Sequence, residues 1–204
     1  MNKICKIWKR HFPAGKSGAH LFPEFKMRAT AVSGEVFRVS NAGDAREVIF
    51  QLVDAVQARK AVVVESPLQK AAGITEALRS KGIAVYTEPE EIAVHAETAD
   101  IGISGVEFGI AETGSVFQDG YDIATRLVTI LPPLHVVFLP SARIVRGIEE
   151  AFEIIYPSFD RGYLGFITGP SRTADIERVL TIGVHGPGRF VIIAVDEEPQ
   201  GGDA

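Results

Sequence analysis

A chain of 204 residues, 46% of them hydrophobic and 23% charged, can bury one sizeable core and does not require a second domain. Its net charge of -5 supplies no basic field for DNA or RNA, which argues against a nucleic-acid partner. With Cys5 as the single cysteine, the chain by itself cannot close an internal disulfide, ligate an iron–sulfur cluster or build a cysteine zinc site, a composition that fits a reducing cytoplasm.

Residues 1–10 are basic, but charges interrupt them too often for the apolar core of a secretory signal. No later stretch is apolar for long enough to span a bilayer. Up to residue 33 no clean period emerges, and Phe12-Pro13, Gly15, Gly18 and Phe22-Pro23 punctuate the run, so residues 1–33 are expected to form an irregular arm. Residues 34–196 then read as one domain. Residues 35–39 alternate like a strand, and Asp44 with Glu47 resembles a capping box opening a helix with Val48, Ile49, Leu52, Val53 and Val56 as its apolar stripe. The β-branched run at 61–64 has the form of a strand buried on both faces. Ser66-Pro67 opens a helix that Gly82 closes, and residues 83–86 form the next strand.

The second half is richer in glycine and β-branched residues, and 100–103, 112–116 and 127–130 are expected to be short strands or hairpins. Residues 134–139 read as a buried strand, and Ile144, Ile148, Phe152 and Ile155 mark a helix that Pro157 ends. Residues 165–168 and 190–195 are the last strands, flanking a helix at 174–180, and 197–204 form a flexible tail. Strand and helix in alternation predict a single α/β domain with a mostly parallel, doubly wound sheet and helices on both faces.

Ligands of open α/β sheets gather at the carboxyl ends of strands, where loops enter helices. On that ground Gly169-Pro170-Ser171-Arg172-Thr173 is a candidate anion site: Gly169 permits close backbone approach, Ser171 and Thr173 carry hydroxyls, Arg172 carries a bidentate fork, and the helix start adds partial positive charge. A carboxylate or phosphate would suit it. The alternative is a plain helix cap, with Arg172 paired to Asp175 or Glu177. Glu112, between Ala111 and Thr113-Gly114-Ser115, is a second candidate, because burial would raise its pKa and suit it to acid, base or nucleophile work. It equally fits a carboxylate that satisfies turn amides or pairs with Arg126. His185, in Gly183-Val184-His185-Gly186-Pro187, and His135, after Pro132-Pro133, are candidate proton shuttles or hydrogen-bonded structural residues. Their spacing is not that of a metal pair, so no metal site is expected, and no phosphate-binding P-loop, dinucleotide fingerprint or nucleophile elbow is present.

Taken together, Ala111-Glu112-Thr113-Gly114-Ser115, Arg126, Leu131-Pro132-Pro133-Leu134-His135, the string from Thr168 through Gly169-Pro170-Ser171-Arg172-Thr173-Ala174-Asp175 to Ile176-Glu177, and His185-Gly186-Pro187 resemble the lactate-utilization protein C family, the LUD domain. The likeness covers about residues 36–195 in layout, with its specific motifs beyond Ala99. Ser115 stands where members often carry threonine, which keeps the hydroxyl. The resemblance implies a fold related to ribose-phosphate isomerases, glucosamine-phosphate deaminases and CoA transferases. It also implies iron–sulfur companion proteins and a part in the oxidation of L-lactate to pyruvate in bacteria. The resemblance itself assigns no catalytic residue, and Glu112 and His185, raised by their own loop chemistry, are the catalytic candidates. Thr113, Gly114, Ser115, Arg126, His135, Gly169, Pro170, Ser171, Arg172, Thr173, Asp175 and Gly186 are the ligand-binding candidates, with no cofactor in this chain and the clusters in its partners.

Three functions follow. The first is a cluster-free subunit of a lactate-oxidising assembly, holding a carboxylate at the Gly169 loop with Arg172. The second is a CoA or acyl transferase with Glu112 as nucleophile, and the third is a non-catalytic scaffold or regulatory binder.

Overall fold

The computed structural model describes residues 12, 18–158, 162–173 and 181–197. The first long element is a helix, α1 (Phe22–Ala31), where the sequence reading has an irregular arm. Pro23 lies in its first turn, the place in a helix where a missing N–H costs nothing. Phe22, Phe25 and Ala29 then fall on one face and are buried, and full burial of Phe25 alone is worth roughly 1.5–3 kcal/mol. The rest of the arm, apart from Phe12 and residues from 18 onward, lies outside the described residues.

After β1 (Glu35–Val39) comes α2 (Ala42–Ala55). Its cap is Asn41, whose side chain accepts from the Asp44 amide at 3.0 Å, three residues earlier than the capping box expected at Asp44. Then follow β2 (Lys60–Val63), α3 (Pro67–Ala71), α4 (Ile74–Ser80) and β3 (Ala84–Tyr86). The single helix expected between Ser66 and Gly82 is thus two, because Gly73 takes a left-handed φ of 59° and breaks it. Next are α5 (Pro89–His95), β4 (Ile101–Gly105), β5 (Phe108–Ile110) and β6 (Ser115–Asp119).

Residues 127–130 belong to a helix, α6 (Ile123–Ile130), and not to a strand. Its β-branched residues suggest extension, but Asp122 caps it at 3.0 Å from the Ala124 amide, and burial of Ala124 and Val128 against Val62 outweighs propensity. The chain continues as β7 (Leu134–Pro140), β8 (Ile144–Val145), α7 (Ile148–Ile155), β9 (Leu164–Ile167), β10 (Arg172–Thr173), β11 (Thr181–Ile182) and β12 (Arg189–Val195). Ile144 therefore precedes α7 in a strand. Arg172 and Thr173 pair with Ile182 and Thr181 in a small antiparallel ladder, so they are not a helix start. The expected helix at 174–180, including Asp175, lies outside the described residues, as does the tail from 198.

Among the described residues the central sheet has six strands, all parallel, in the order β1-β12-β7-β4-β2-β3. Alternate residues of each strand face opposite sides. Val63, Ile103, Val136 and Ile193 pack under α2, α3 and α4. On the other face, Val62 meets α5 and α6, and Val137 and Ile192 meet α1. The doubly wound, single-domain α/β architecture is present. A mixed sheet, β8-β5-β6-β9, adds a further layer. One side of it packs on α7 through Phe108, Phe117 and Ile154, and the other presses Val116 onto the α1 cluster. Helix α1 is therefore clamped between two sheets.

Candidate functional site

The Gly169 loop leaves β9, runs across the end of α1 and enters β10. Gly169 has a φ of 70°, and a Cβ there would overlap the Val32 carbonyl oxygen. The Gly114 turn meets α1 in the same way, with a φ of 67° and no room for a Cβ beside Ala29 N. Both glycines are needed for contact with a helix backbone. Arg172 points to that same helix end, donating to the Val32 carbonyl and, at 3.0 Å, to Ser33 Oγ. Arg172 thereby serves the helix end: the last carbonyls of a helix lack intrahelical donors, and one guanidinium nitrogen supplies one.

The loop around His185 folds onto the Gly169 loop. The Ser171 amide donates to the Pro187 carbonyl and the Gly183 amide to the Ser171 carbonyl, each at 2.9 Å. Between these loops, α6 and β9 lies a cleft of about 270 Å³. Thr129, His135, Thr168, Ser171 and His185 supply its polar wall, and Ile130, Phe166, Ile167 and Phe190 its apolar one, with Gly169, Gly186 and Pro187 at the rim. Five of the residues singled out by sequence, Gly169, Ser171, Gly186, His135 and His185, thus meet in one place.

The location differs from the expected carboxyl ends. The loop does leave the carboxyl end of a strand, but β9 belongs to the small sheet. His135 and Phe190 are the second residues of β7 and β12, so the cleft opens at the amino ends of the main sheet.

At the base of the cleft, His135 is almost fully buried, and its Nε2 lies 2.8 Å from Ser104 Oγ. Burial pushes the imidazole down to about 3 from the ordinary 6.5, so the ring is neutral at physiological pH. Gln118 Nε2 donates to Ser104 Oγ and to the Gly105 carbonyl, both at 2.9 Å. Thr129 Oγ1 lies 2.7 Å from Gln118 Oε1 and 2.8 Å from the Thr125 carbonyl, two acceptors for its one hydrogen. Sequence reasoning missed Ser104, Gln118 and Thr129. The available signal was a polar residue inside an otherwise apolar strand at 104 and at 118, where burial demands a partner.

The remaining candidates lie outside the cleft lining. Glu112 is exposed, not buried, and its Oε2 accepts from the Ile148 amide at 3.1 Å, capping α7 beside Glu150, which accepts from the Gly147 amide at 3.1 Å. It satisfies helix amides because its own amide bonds to the Arg146 carbonyl at 2.9 Å, placing the turn at the α7 entrance. Thr113 Oγ1 accepts from the Ser115 amide at 3.3 Å, and Ser115 Oγ meets Thr168 Oγ1 at 2.7 Å, which ties this turn to the cleft wall. Arg126 stacks its guanidinium 5.1 Å over the Tyr163 ring. Pro170 is buried, and Thr173 is in β10. Among the described residues, no three His, Cys, Asp or Glu side chains gather to hold a metal ion, and no helix is long and apolar enough to cross a membrane.

The LUD domain family matches residues 22–195, beginning at the first residue of α1. The chain is 30% identical over 158 residues to lactate utilization protein C of Halalkalibacterium halodurans, covering 74% of this chain and 69% of that protein. It is 28% identical over 185 residues to lactate utilization protein C of Anoxybacillus flavithermus, covering 90% and 84%. A crystal structure of a DUF162 family protein from Deinococcus radiodurans shares the fold, with a TM-score of 0.62 at 23% identity over 90% of this chain and 99% of that one.

Proposed function

The chain belongs to the LUD domain family, and from that premise we propose that it serves lactate utilization, as the cluster-free subunit of an assembly that oxidises L-lactate to pyruvate. In this reading the cleft beside Gly169 binds a small organic anion, and companion proteins in the cytoplasm carry the iron–sulfur clusters. Support for the pathway comes from the relatives, which are lactate utilization proteins C. Support for the site comes from one observation, the meeting of Gly169, Ser171, Gly186, His135 and His185 around a single cleft.

That cleft has the chemistry a small acid needs. The hydroxyls of Thr168 and Ser171 and the ring nitrogens of His135 and His185 can donate to carboxylate or carbonyl oxygens. Ile130, Ile167 and Phe190 offer apolar contact to the carbon skeleton. Oxidation of the alcohol removes two electrons and two protons. The companions' clusters accept the electrons, solvent takes up the two protons, and this chain orients the acid. Cys5 alone falls short of the thiolates a cluster requires. Acyl transfer through Glu112 gains nothing from the geometry, since that carboxylate is engaged with the α7 amide.

The test has two arms. Calorimetry of the purified protein with L-lactate and pyruvate is expected to give dissociation constants near the millimolar range, about -4 kcal/mol. Pull-down from the native host is expected to recover iron–sulfur proteins whose lactate oxidation requires this chain. No heat with either acid, together with oxidation unchanged when the chain is withheld, would remove the reading.

A further inference from the structure

We propose that Gln118 and Ser104 are positioning residues that hold His135 as its Nδ1–H tautomer. The ring then offers the cleft a hydrogen-bond donor, and the favoured ligand presents an acceptor oxygen, the carbonyl or carboxylate of a 2-oxo acid. For its ligand this rests on the organic-acid reading of the cleft; for the tautomer it does not.

The argument follows the hydrogens. The Gly105 carbonyl can only accept, so the end of Gln118 that lies 2.9 Å from it is the amide nitrogen. The same nitrogen donates its other hydrogen to Ser104 Oγ at 2.9 Å. Thr129 Oγ1 has one hydrogen for two acceptors, Gln118 Oε1 at 2.7 Å and the Thr125 carbonyl at 2.8 Å, so the orientation rests on the Gly105 carbonyl. Ser104 is fully buried, and with Gln118 donating to it, its own hydrogen has His135 Nε2, at 2.8 Å, as its acceptor. The reverse arrangement, with Nε2–H donating to Ser104, leaves a buried hydroxyl hydrogen with no acceptor among the described residues, which is costly. Nε2 therefore accepts, and the ring's proton sits on Nδ1.

Nδ1 has no protein partner among the described residues, and the ring forms part of the cleft wall. A neutral imidazole with its lone pair taken by a serine cannot accept a proton from an alcohol, but it can donate to an oxygen. His135 thereby differs in function from His185, which is exposed at the rim of the same cleft.

The experiment uses the full chain labelled with ¹⁵N at its histidines. Two-bond proton–nitrogen correlation reads which ring nitrogen of His135 carries the proton, and titration with pyruvate reads affinity. The wild-type ring is expected as Nδ1–H. In Gln118→Glu the donor becomes an acceptor, Ser104 turns its hydrogen to the new carboxylate, and His135 is expected to switch to Nε2–H with pyruvate binding weakened about tenfold. Ser104→Ala is the second variant, expected to give a mixture of tautomers even if Gln118→Glu folds poorly. An Nε2–H ring in the wild type, or an Nδ1–H ring unchanged in every folded variant, would overturn the proposal. An Nδ1–H ring that responds to the variants in a protein binding neither pyruvate nor lactate would uphold the positioning pair and reject the organic-acid reading instead.

Discussion

Acidification should destabilise this protein through His135. The buried ring titrates near 3 when folded against an ordinary 6.5. At neutral pH the group is uncharged in both states. As the pH falls through 6.5 the unfolded chain takes up the proton and the folded one does not, so stability drops steadily until the folded ring titrates near 3. Between about pH 7 and about pH 5 the loss from this one group is roughly 2 kcal/mol, and across the whole window roughly 5 kcal/mol. Urea unfolding followed by circular dichroism reads it. With a slope of about 1–3 kcal/mol per molar urea, 2 kcal/mol corresponds to a midpoint lower by about 1 M. The same measurement on His135→Gln should lack that part of the shift, while the other four of the chain's five histidines, present in both proteins, cancel. Equal midpoint shifts in wild type and His135→Gln would refute the reasoning.

Gly169→Ala combines a positive φ with a Cβ on the Val32 carbonyl, so it should cost more than about 1 kcal/mol and lower the melting temperature measured by calorimetry. Arg172→Ala should speed hydrogen exchange at residues 31–34, where its guanidinium holds the helix end, and leave pyruvate affinity within about twofold; complete loss of binding would return Arg172 to the site. Glu112→Ala removes a cap from α7 and should destabilise by roughly 1 kcal/mol in a thermal melt. Incubation of the wild type with a CoA thioester should leave no adduct on Glu112 by peptide mass mapping, and an adduct would reinstate acyl transfer.

The buried parallel strands were the most legible part of the sequence. In β2, β7 and β12, burial on both faces demands short, mostly apolar runs rich in Val and Ile, and such runs leave little room for another reading. Helix α6 was not legible, because Val128, Thr129 and Ile130 favour a strand locally and only packing on Gly102 and Val62 makes them helical. Helix α1 was hidden by Pro23, which punctuates a sequence but is tolerated in a first turn. At the site, motif strings picked out Gly169, His135 and His185, which line one cleft, together with Glu112, which does not. What Arg172 and Glu112 hold could not be read, since their partners at Val32, Ser33 and Ile148 are distant in sequence and, apart from Ser33 Oγ, are backbone groups of any residue type.

The contact between Gly169, Arg172 and the end of α1 is made to the main-chain carbonyl of Val32, with Ser33 Oγ as the one side-chain partner. The identity of residue 32 is therefore nearly irrelevant to the height at which the loop stands, and substitutions along the exposed side of α1 leave it in place. Length is another matter. One residue inserted into or deleted from that helix turns its end by about 100° and moves it about 1.5 Å, carrying the carbonyl away from both partners. The cleft is thus buffered against drift in composition and exposed to changes in helix length, a vulnerability that lies more than a hundred residues upstream of the loop it would disable.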